Sequence, residues 1–404
     1  MSLISVAWGR IAAPQRRTMG VACGTHILHD GYTDLLYVLL PLWQAEFGLG
    51  YAEVGILRAL FTGSLAAFQV PAGMLAERIG GPLVLALGTG LAGIGFLVAG
   101  FSTGFAVLVV ALVIGGIGAS VQHPINANLV AQAYPGRRSR NALATYNFSG
   151  DLGKMAFPAA TAFLLTLMPW RASTMVIGGV GLAAAVALLA VRGLPGQSGM
   201  RVADEAKAAE TAGELPASGT GFPLLLGIAM IDSATRMGFL TFLPFLLQMK
   251  GADLPTIGIA LTLIFTGGAT GKLVCGWLGV RVGMVRATFL TEGLTAAGIL
   301  AVLPLPLLPA LAVLPLIGVA LNGTSSIIYG TVPELVAPER RQRAFSIFYT
   351  GGVGAGAVSP VLYGLAGDFI DVPTMMLLVA AVVLVTLPLT WALRPHLRET
   401  HAAG

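Results

Sequence analysis

Residues 73–80 read Gly-Met-Leu-Ala-Glu-Arg-Ile-Gly, and residues 276–283 read Gly-Trp-Leu-Gly-Val-Arg-Val-Gly. The two stretches carry Gly, Leu, Arg and Gly at the same places, 203 residues apart. The same offset, without a gap, sets Pro41 on Pro244, Gly55-Ile56 on Gly258-Ile259, Pro135 on Pro338, Arg138 on Arg341, Arg140 on Arg343 and Tyr146 on Tyr349. The chain is therefore an internal duplication. Paired halves in an apolar chain point to a transporter, because two membrane bundles can rock about a shared site and expose it to each side in turn.

The composition supplies the apolar half of that argument. Of 404 residues 56% are hydrophobic and only 10% charged, with a mean hydropathy of +0.84, against roughly 25% charged in a soluble domain. Spans of about 20 apolar residues fall near 19–45, 52–76, 83–101, 104–133, 142–168 and 171–192, and again near 222–248, 254–279, 284–304, 307–334, 344–367 and 370–393. Only helices satisfy their backbone groups inside lipid over such runs. The expected fold is an all-α membrane protein of about twelve transmembrane helices in two six-helix pseudo-repeats. Its bundles are 1–192 and 222–404, joined by a cytoplasmic linker at 193–221 that is rich in Gly, Ala and Ser.

Basic loops stay on the cytoplasmic side. With both termini inside, Arg10, Arg16, Arg17, Arg78, Arg137, Arg138, Arg140, Arg192, Arg201, Lys207, Arg281, Arg286, Arg340, Arg341, Arg343, Arg394 and Arg398 are cytoplasmic, and only Arg171 and Lys250 lie outside. The net charge of +5 is then a topology signal, and no nucleic-acid partner is expected. The first 18 residues lack the order of a signal peptide. Cys23 and Cys275 fall in different spans and imply no disulfide framework. The glycines of Gly115-Gly116-Ile117-Gly118 and of 351–356 suit either static close packing or surfaces that slide.

A charge at the centre of a spanning helix costs roughly 2.5–3.5 kcal/mol on insertion scales, so each one needs a partner, water or a task. His26, Asp30, Asp34 and Tyr37 share one face of the first span. Neighbouring carboxylates and an imidazole hold protons near neutral pH, which makes His26, Asp30 and Asp34, with Asp151 in the fifth span, the expected proton-coupling set. The alternative is that Asp30 makes a fixed structural hydrogen bond and Asp34 lies near the outer mouth. His26-x-x-His29 lacks further local ligands; no metal and no cofactor is expected. Asn147, Asp151 and Lys154 share a face of the fifth span, where Lys154 either pairs with Asp151 or, with Arg58, offers a positive site to an anionic group, Asp30 and Asp151 being its competing partners. Their repeat partners Thr350, Gly354 and Ala357 are uncharged, and Arg58 likewise falls on Leu261, so these charges are not demanded by the helices. In the fourth span, Gln122, His123, Pro124, Asn126 and Asn128 either line the cavity or satisfy a backbone kinked by Pro124. Asp232 and Arg236, four apart, can neutralise one another, while Lys272 and Glu292 lack local partners. The substrate-binding expectation is therefore Arg58, His123, Asn126, Asn147, Lys154, Asp232, Arg236 and Lys272.

The loop Gly73-Met-Leu-Ala-Glu77-Arg78-Ile-Gly80-Gly81 is similar to the signature G-x-L-a-D-R-x-G-R of the major facilitator superfamily. The resemblance covers nearly the whole chain and implies a gating role for Gly73, Glu77, Arg78 and Gly80. Glu77 replaces the usual Asp and Gly81-Pro82 the usual basic residues, which thins that charge network. A narrower resemblance, to the fosmidomycin-resistance branch of efflux proteins, rests on His26-x-x-x-Asp30-Gly31, Pro41-Leu42, Phe47-Gly48-Leu49, His123-Pro124 and the glycines that open the fifth span. That branch implies proton-driven export of small toxic compounds, a phosphonate anion among them. Here Ser149-Gly150-Asp151-Leu152-Gly153-Lys154 stands where a neutral Gly-Gly-Asn-x-Gly segment is expected, and the Gly-Pro antiporter motif is reduced to Pro158.

The expectation is a proton-coupled exporter of a small organic compound, anionic or neutral, monomeric, in a bacterial inner membrane. Uptake of an organic anion by proton symport uses the same residues and is the alternative. Residues 266–273 lack the opening Gly and closing Ser/Thr of a phosphate loop, so ATP is not the expected driver. A non-transporting receptor or assembly factor has little reason to keep so many buried charges, and the residues for an intramembrane enzyme do not assemble.

Overall fold

Each apolar run forms helix, and three of the twelve runs are broken. The computed structural model describes residues 13–191, 194, 220–337 and 340–397, apart from the side chains of Arg137, Arg140 and Gln342. The linker at 193–221 lies almost wholly outside the described residues, as do Arg10, Arg192, Arg201, Lys207, Pro338 and Arg398. The helices are α1 (Ala13–Asp34), α2 (Leu36–Phe47), α3 (Tyr51–Ile79), α4 (Gly81–Gly100), α5 (Phe105–Ala119), α6 (Gln122–Ala133), α7 (Arg137–Leu167), α8 (Trp170–Ala190), α9 (Gly221–Met249), α10 (Leu254–Val282), α11 (Met284–Val302), α12 (Leu307–Leu335), α13 (Arg341–Phe369), α14 (Val372–Leu384) and α15 (Thr386–Leu393). The pairs α1/α2, α5/α6 and α14/α15 are the first, fourth and twelfth expected spans. No strand occurs among the described residues.

Proline accounts for two breaks directly and lies near the third. It has no N–H to give the carbonyl four residues back and clashes with it. Pro124 and Pro388 fall four residues after Ser120 and Leu384, at the ends of their broken segments; Pro41 falls four after Tyr37, just beyond Leu35. Three-residue bonds tighten the chain at each point: Val38 to Leu35 at 3.0 Å, Ser120 to Ile117 at 3.2 Å and Val385 to Val382 at 3.1 Å.

Among the described residues, ten segments are long and apolar enough to cross a membrane. The two expected spans that miss this criterion are α1/α2, which carries His26, Asp30 and Asp34, and α7, which carries Asp151 and Lys154. The polar side chains that lower their hydropathy are the ones singled out above.

The duplication reappears in the backbone. Gly48 (φ 63°) pairs with Gly251 (φ 86°) and Gly80 (φ 94°) with Gly283 (φ 82°), each across 203 residues. These turns follow the first, seventh, second and eighth spans, and only glycine takes such angles without strain. No non-glycine residue has positive φ among those described.

The described residues form two compact units. One holds those of Met1–Asp34, Ser64–Phe157 and Arg171–Val202; the other holds those of Leu35–Gly63, Pro158–Trp170 and Ala203–Gly404. In the first, α4 and α5 meet backbone to backbone where Gly95 faces Gly115 and Gly118 faces Ala92. In the second, α10 and α12 meet in the same manner at Gly267–Pro315 and Gly271–Val319. An apolar core around Phe222, Leu225, Ile228, Val332, Phe348 and Leu393 fills that unit.

Candidate functional site

The site in the first unit is assembled from α1, α6 and α7. His26 is 3% exposed and Asp30 9%. His26 Nδ1 lies 2.8 Å from the backbone carbonyl of Tyr146 on α7. A carbonyl only accepts, so Nδ1 carries the hydrogen. That leaves Nε2, 3.3 Å from Asp30 Oδ2, as a lone pair facing a carboxylate unless one more proton stands between them. Lys154 Nζ reaches the same oxygen at 3.5 Å. One carboxylate oxygen thus collects an imidazole and an ammonium.

The shape of α7 permits this arrangement. A Cβ at Gly150 would fall 2.5 Å from both Asp30 Oδ2 and His26 Nε2, and one at Gly153 would strike the backbone of Ile27. The Tyr146 ring stacks on the His26 ring at 4.3 Å, and Gln122 Nε2 donates to the Tyr146 hydroxyl at 2.8 Å. His123 stands edge-on to His26 at 5.5 Å. His26, Asp30 and His123 place ligand-type atoms within 4.8 Å of one another, a set that offers lone pairs to a proton or a divalent cation. The Lys154 ammonium beside Asp30 opposes a second cation there.

One expectation is corrected. The stripe His26-Asp30-Asp34-Tyr37 ends at Asp34, because the helix is interrupted at Leu35. Tyr37 belongs to the other unit, where its hydroxyl accepts from Arg58 Nη2 at 2.9 Å and its ring lies 4.6 Å below the guanidinium. Arg58, 1% exposed, is thereby held against an aromatic ring. His29 does not join His26: Thr89 gives its hydroxyl hydrogen to Leu85 O, so His29 Nε2 donates to Thr89 Oγ1 at 3.0 Å. Lys154 turns to Asp30, whatever else it meets. Asn126 is fully buried and ties α6 to α1, its Nδ2 donating to Thr25 Oγ1 at 2.8 Å.

Asp34 and Asp151 are buried and have partners, whereas Asn147 is exposed. Gly73 is buried, Glu77 and Arg78 are exposed, and Gly80 forms the turn after α3. In the second unit, Asp232 and Arg236 interact electrostatically and line one cavity of about 190 Å³ with Ser325, Tyr329 and Tyr349. Lys272 is exposed and has a partner. Tyr146 and Thr89 are the residues that sequence reasoning missed as parts of the site. Tyr146 is a repeat anchor one residue before Asn147, but its carbonyl has no sequence signature.

The family model described as Major Facilitator Superfamily matches residues 22–223 and 224–403. Among curated proteins, the chain is 22% identical to the "Fosmidomycin resistance protein" of Escherichia coli K12 over 87% of its own length and 86% of that protein's. It is 23% identical to a "Probable sulfoacetate transporter" of Cupriavidus necator, covering 86% of each chain. It is also 23% identical to the "D-galactonate transporter" of Escherichia coli O6:H1, covering 85% and 86%. Among solved structures, a bacterial homolog of the human lysosomal transporter Spinster, inward-facing and unoccupied, superposes with a TM-score of 0.79 at 15% identity, covering 95% of this chain and 98% of that one.

Proposed function

Because the chain belongs to the Major Facilitator Superfamily, we propose that it is a proton-coupled secondary transporter of a small organic anion, carrying proton and anion together by alternating access. The coarser part is settled by membership: the chain is an integral membrane protein and a transporter of small organic compounds, not an enzyme. The finer part is carried by one observation, the convergence of His26 Nε2 and Lys154 Nζ on Asp30 Oδ2.

An anion that draws Lys154 toward itself takes away one of the charges that compensate Asp30, and a proton on the His26–Asp30 pair replaces it. Conversely, a proton added beside the site raises its charge by one and attracts an anion. Binding of each favours the other, and the coupling is reciprocal. Down an inward proton gradient this gives uptake. Two of the relatives above, named for sulfoacetate and D-galactonate, favour the same substrate class. Export in exchange for protons is the second reading, favoured by the likeness to the fosmidomycin resistance protein.

In this proposal Asp34 and Asp151 extend the acidic lining, and His123, Asn147, Arg58, Asp232, Arg236 and Lys272 are the substrate-facing candidates. The halves 1–192 and 222–404 rock about the site, Gly73, Glu77, Arg78 and Gly80 gate the cytoplasmic face, and the monomer sits in a bacterial inner membrane with both termini inside. The test is an internal pH dye in proteoliposomes exposed to carboxylates, sulfonates and phosphonates. Acidification as the anion enters supports cotransport, whereas alkalinisation supports exchange. Solute flux without proton movement would end the coupling proposal. Asp30→Asn is expected to abolish the pH signal in a folded protein; an undiminished signal removes Asp30 from the mechanism.

A further inference from the structure

Across the 203-residue offset, His29 corresponds to Asp232 and Thr89 to Glu292. In the first half His29 and Thr89 touch, Nε2 to Oγ1 at 3.0 Å. The second half therefore sets two acids at the positions of a hydrogen-bonded pair. Both are buried, Asp232 4% exposed on α9 and Glu292 1% exposed on α11; Asp232 and Arg236 act electrostatically on Glu292, and Arg236 acts on Asp232. Glu292 Oε1 has no hydrogen-bond partner among the described residues. Thr288 and Thr295, four before and three after Glu292 on the same face of α11, are buried with hydroxyl oxygens equally unpartnered. Asp232, but not Glu292, lines the cavity of about 190 Å³.

We propose that Asp232 and Glu292 form a second proton site, distinct from the His26–Asp30 pair, which holds one exchangeable proton between the two carboxyls. The charge count requires it. The charged groups acting on Glu292 are Asp232 and Arg236, both from α9; among the described residues no other charge acts on it from α10, α12, α14 or α15, which pack against α11. Two carboxylates and one guanidinium leave a buried surplus of negative charge, and like charges at one site do not both ionise. One proton removes the surplus and supplies a donor, which ionised carboxylates lack. Thr288 and Thr295 offer hydroxyls that both donate and accept, and Asp232 opens the pair to the cavity, so the proton can exchange. The inference does not depend on which anion is carried or in which direction.

The full-length protein in lipid vesicles at neutral pH is the material for the test, and infrared spectroscopy the readout. A neutral carboxylic acid gives a carbonyl stretch that shifts in D2O and that an ionised carboxylate lacks. Glu292→Gln leaves Asp232 facing Arg236 alone, and Asp232→Asn leaves Glu292 facing it alone, so each remaining acid ionises. The expected result is that either substitution removes one carboxyl's worth of this band, in variants whose elution volume and thermal midpoint show a folded protein. A band that survives either substitution, or no band assignable to the pair in the unsubstituted protein, overturns the proposal.

Discussion

At the residue scale, the site depends on what α7 leaves out. Gly150 is the one position on that helix where any side chain would meet both members of the His26–Asp30 pair, at 2.5 Å from each. Gly150→Ala should leave helix α7 intact, since Ala is the better helix former, while prising the pair apart. Overpacking of this kind costs ~1–3 kcal/mol, which is on the order of a 5–150-fold loss of proton-driven flux. The proteoliposome pH signal measures it, and near-normal flux would mean that the pair tolerates separation. Sequence spacing made His26 and Asp30 legible as neighbours because i and i+4 face the same way. It left Lys154 an open choice among Asp30, Asp151 and an anionic group, because which pairing forms across helices is written in no spacing. His26 and Tyr146 lie 120 residues apart and meet through a backbone carbonyl, the group that every residue shares.

At the element scale, helices were predictable where apolar runs were long, and of their three interruptions only the kink at Pro124 was, because six prolines within the single-helix spans leave their helices unbroken while Pro41, Pro124 and Pro388 accompany breaks. Proline marks where a break is cheap; neighbouring packing decides whether it happens. Helix starts were clearer. Asp253 accepts from the Thr256 amide at 3.0 Å and Asp371 from the Thr374 amide at 2.8 Å, capping α10 and α14. Hydrogen bonds to Thr256 and to Thr374 hold both carboxyls below the usual carboxylate value. A group whose value is lowered on folding stabilises above its unfolded pKa, about 3.9 for Asp, and loses that contribution as pH falls through the folded value. Replacing both by Ala should therefore lower the thermal midpoint in detergent at pH 7, and the gap from the unsubstituted protein should close on acidification below about pH 4. A gap that stays constant with pH would show that the capping charge is not its origin.

At the scale of the whole molecule, the repeat is a symmetry of contacts as well as of sequence. Gly55 on α3 lies against the backbone of Pro360 and Val361 on α13, and its counterpart Gly258 on α10 lies against Ala162 and the backbone of Pro158 on α7. All of these residues belong to one compact unit, so helix ends from both sequence halves are packed together there. Gapless alignment made the duplication legible, but it could not show which helix of one half meets which of the other. Asp368, at the end of α13, breaks the symmetry: its carboxylate accepts from the Tyr51 amide at 2.6 Å and the Ala52 amide at 3.1 Å, capping the start of α3. The corresponding position in the first half is Leu165, which has no carboxylate to offer. Under the alternating access proposed above, such a latch opens once per cycle, so it holds without being permanent. Hydrogen bonds to a charged acceptor contribute ~1.5–3 kcal/mol, with the lower end fitting these exposed partners. Asp368→Ala should accordingly speed maleimide labelling of Ala52→Cys about tenfold, the equivalent of ~1.4 kcal/mol, in a background lacking Cys23 and Cys275. Unchanged labelling would show that the Gly55 and Gly258 contacts keep these ends closed by packing alone, and that the carboxylate caps α3 without gating it.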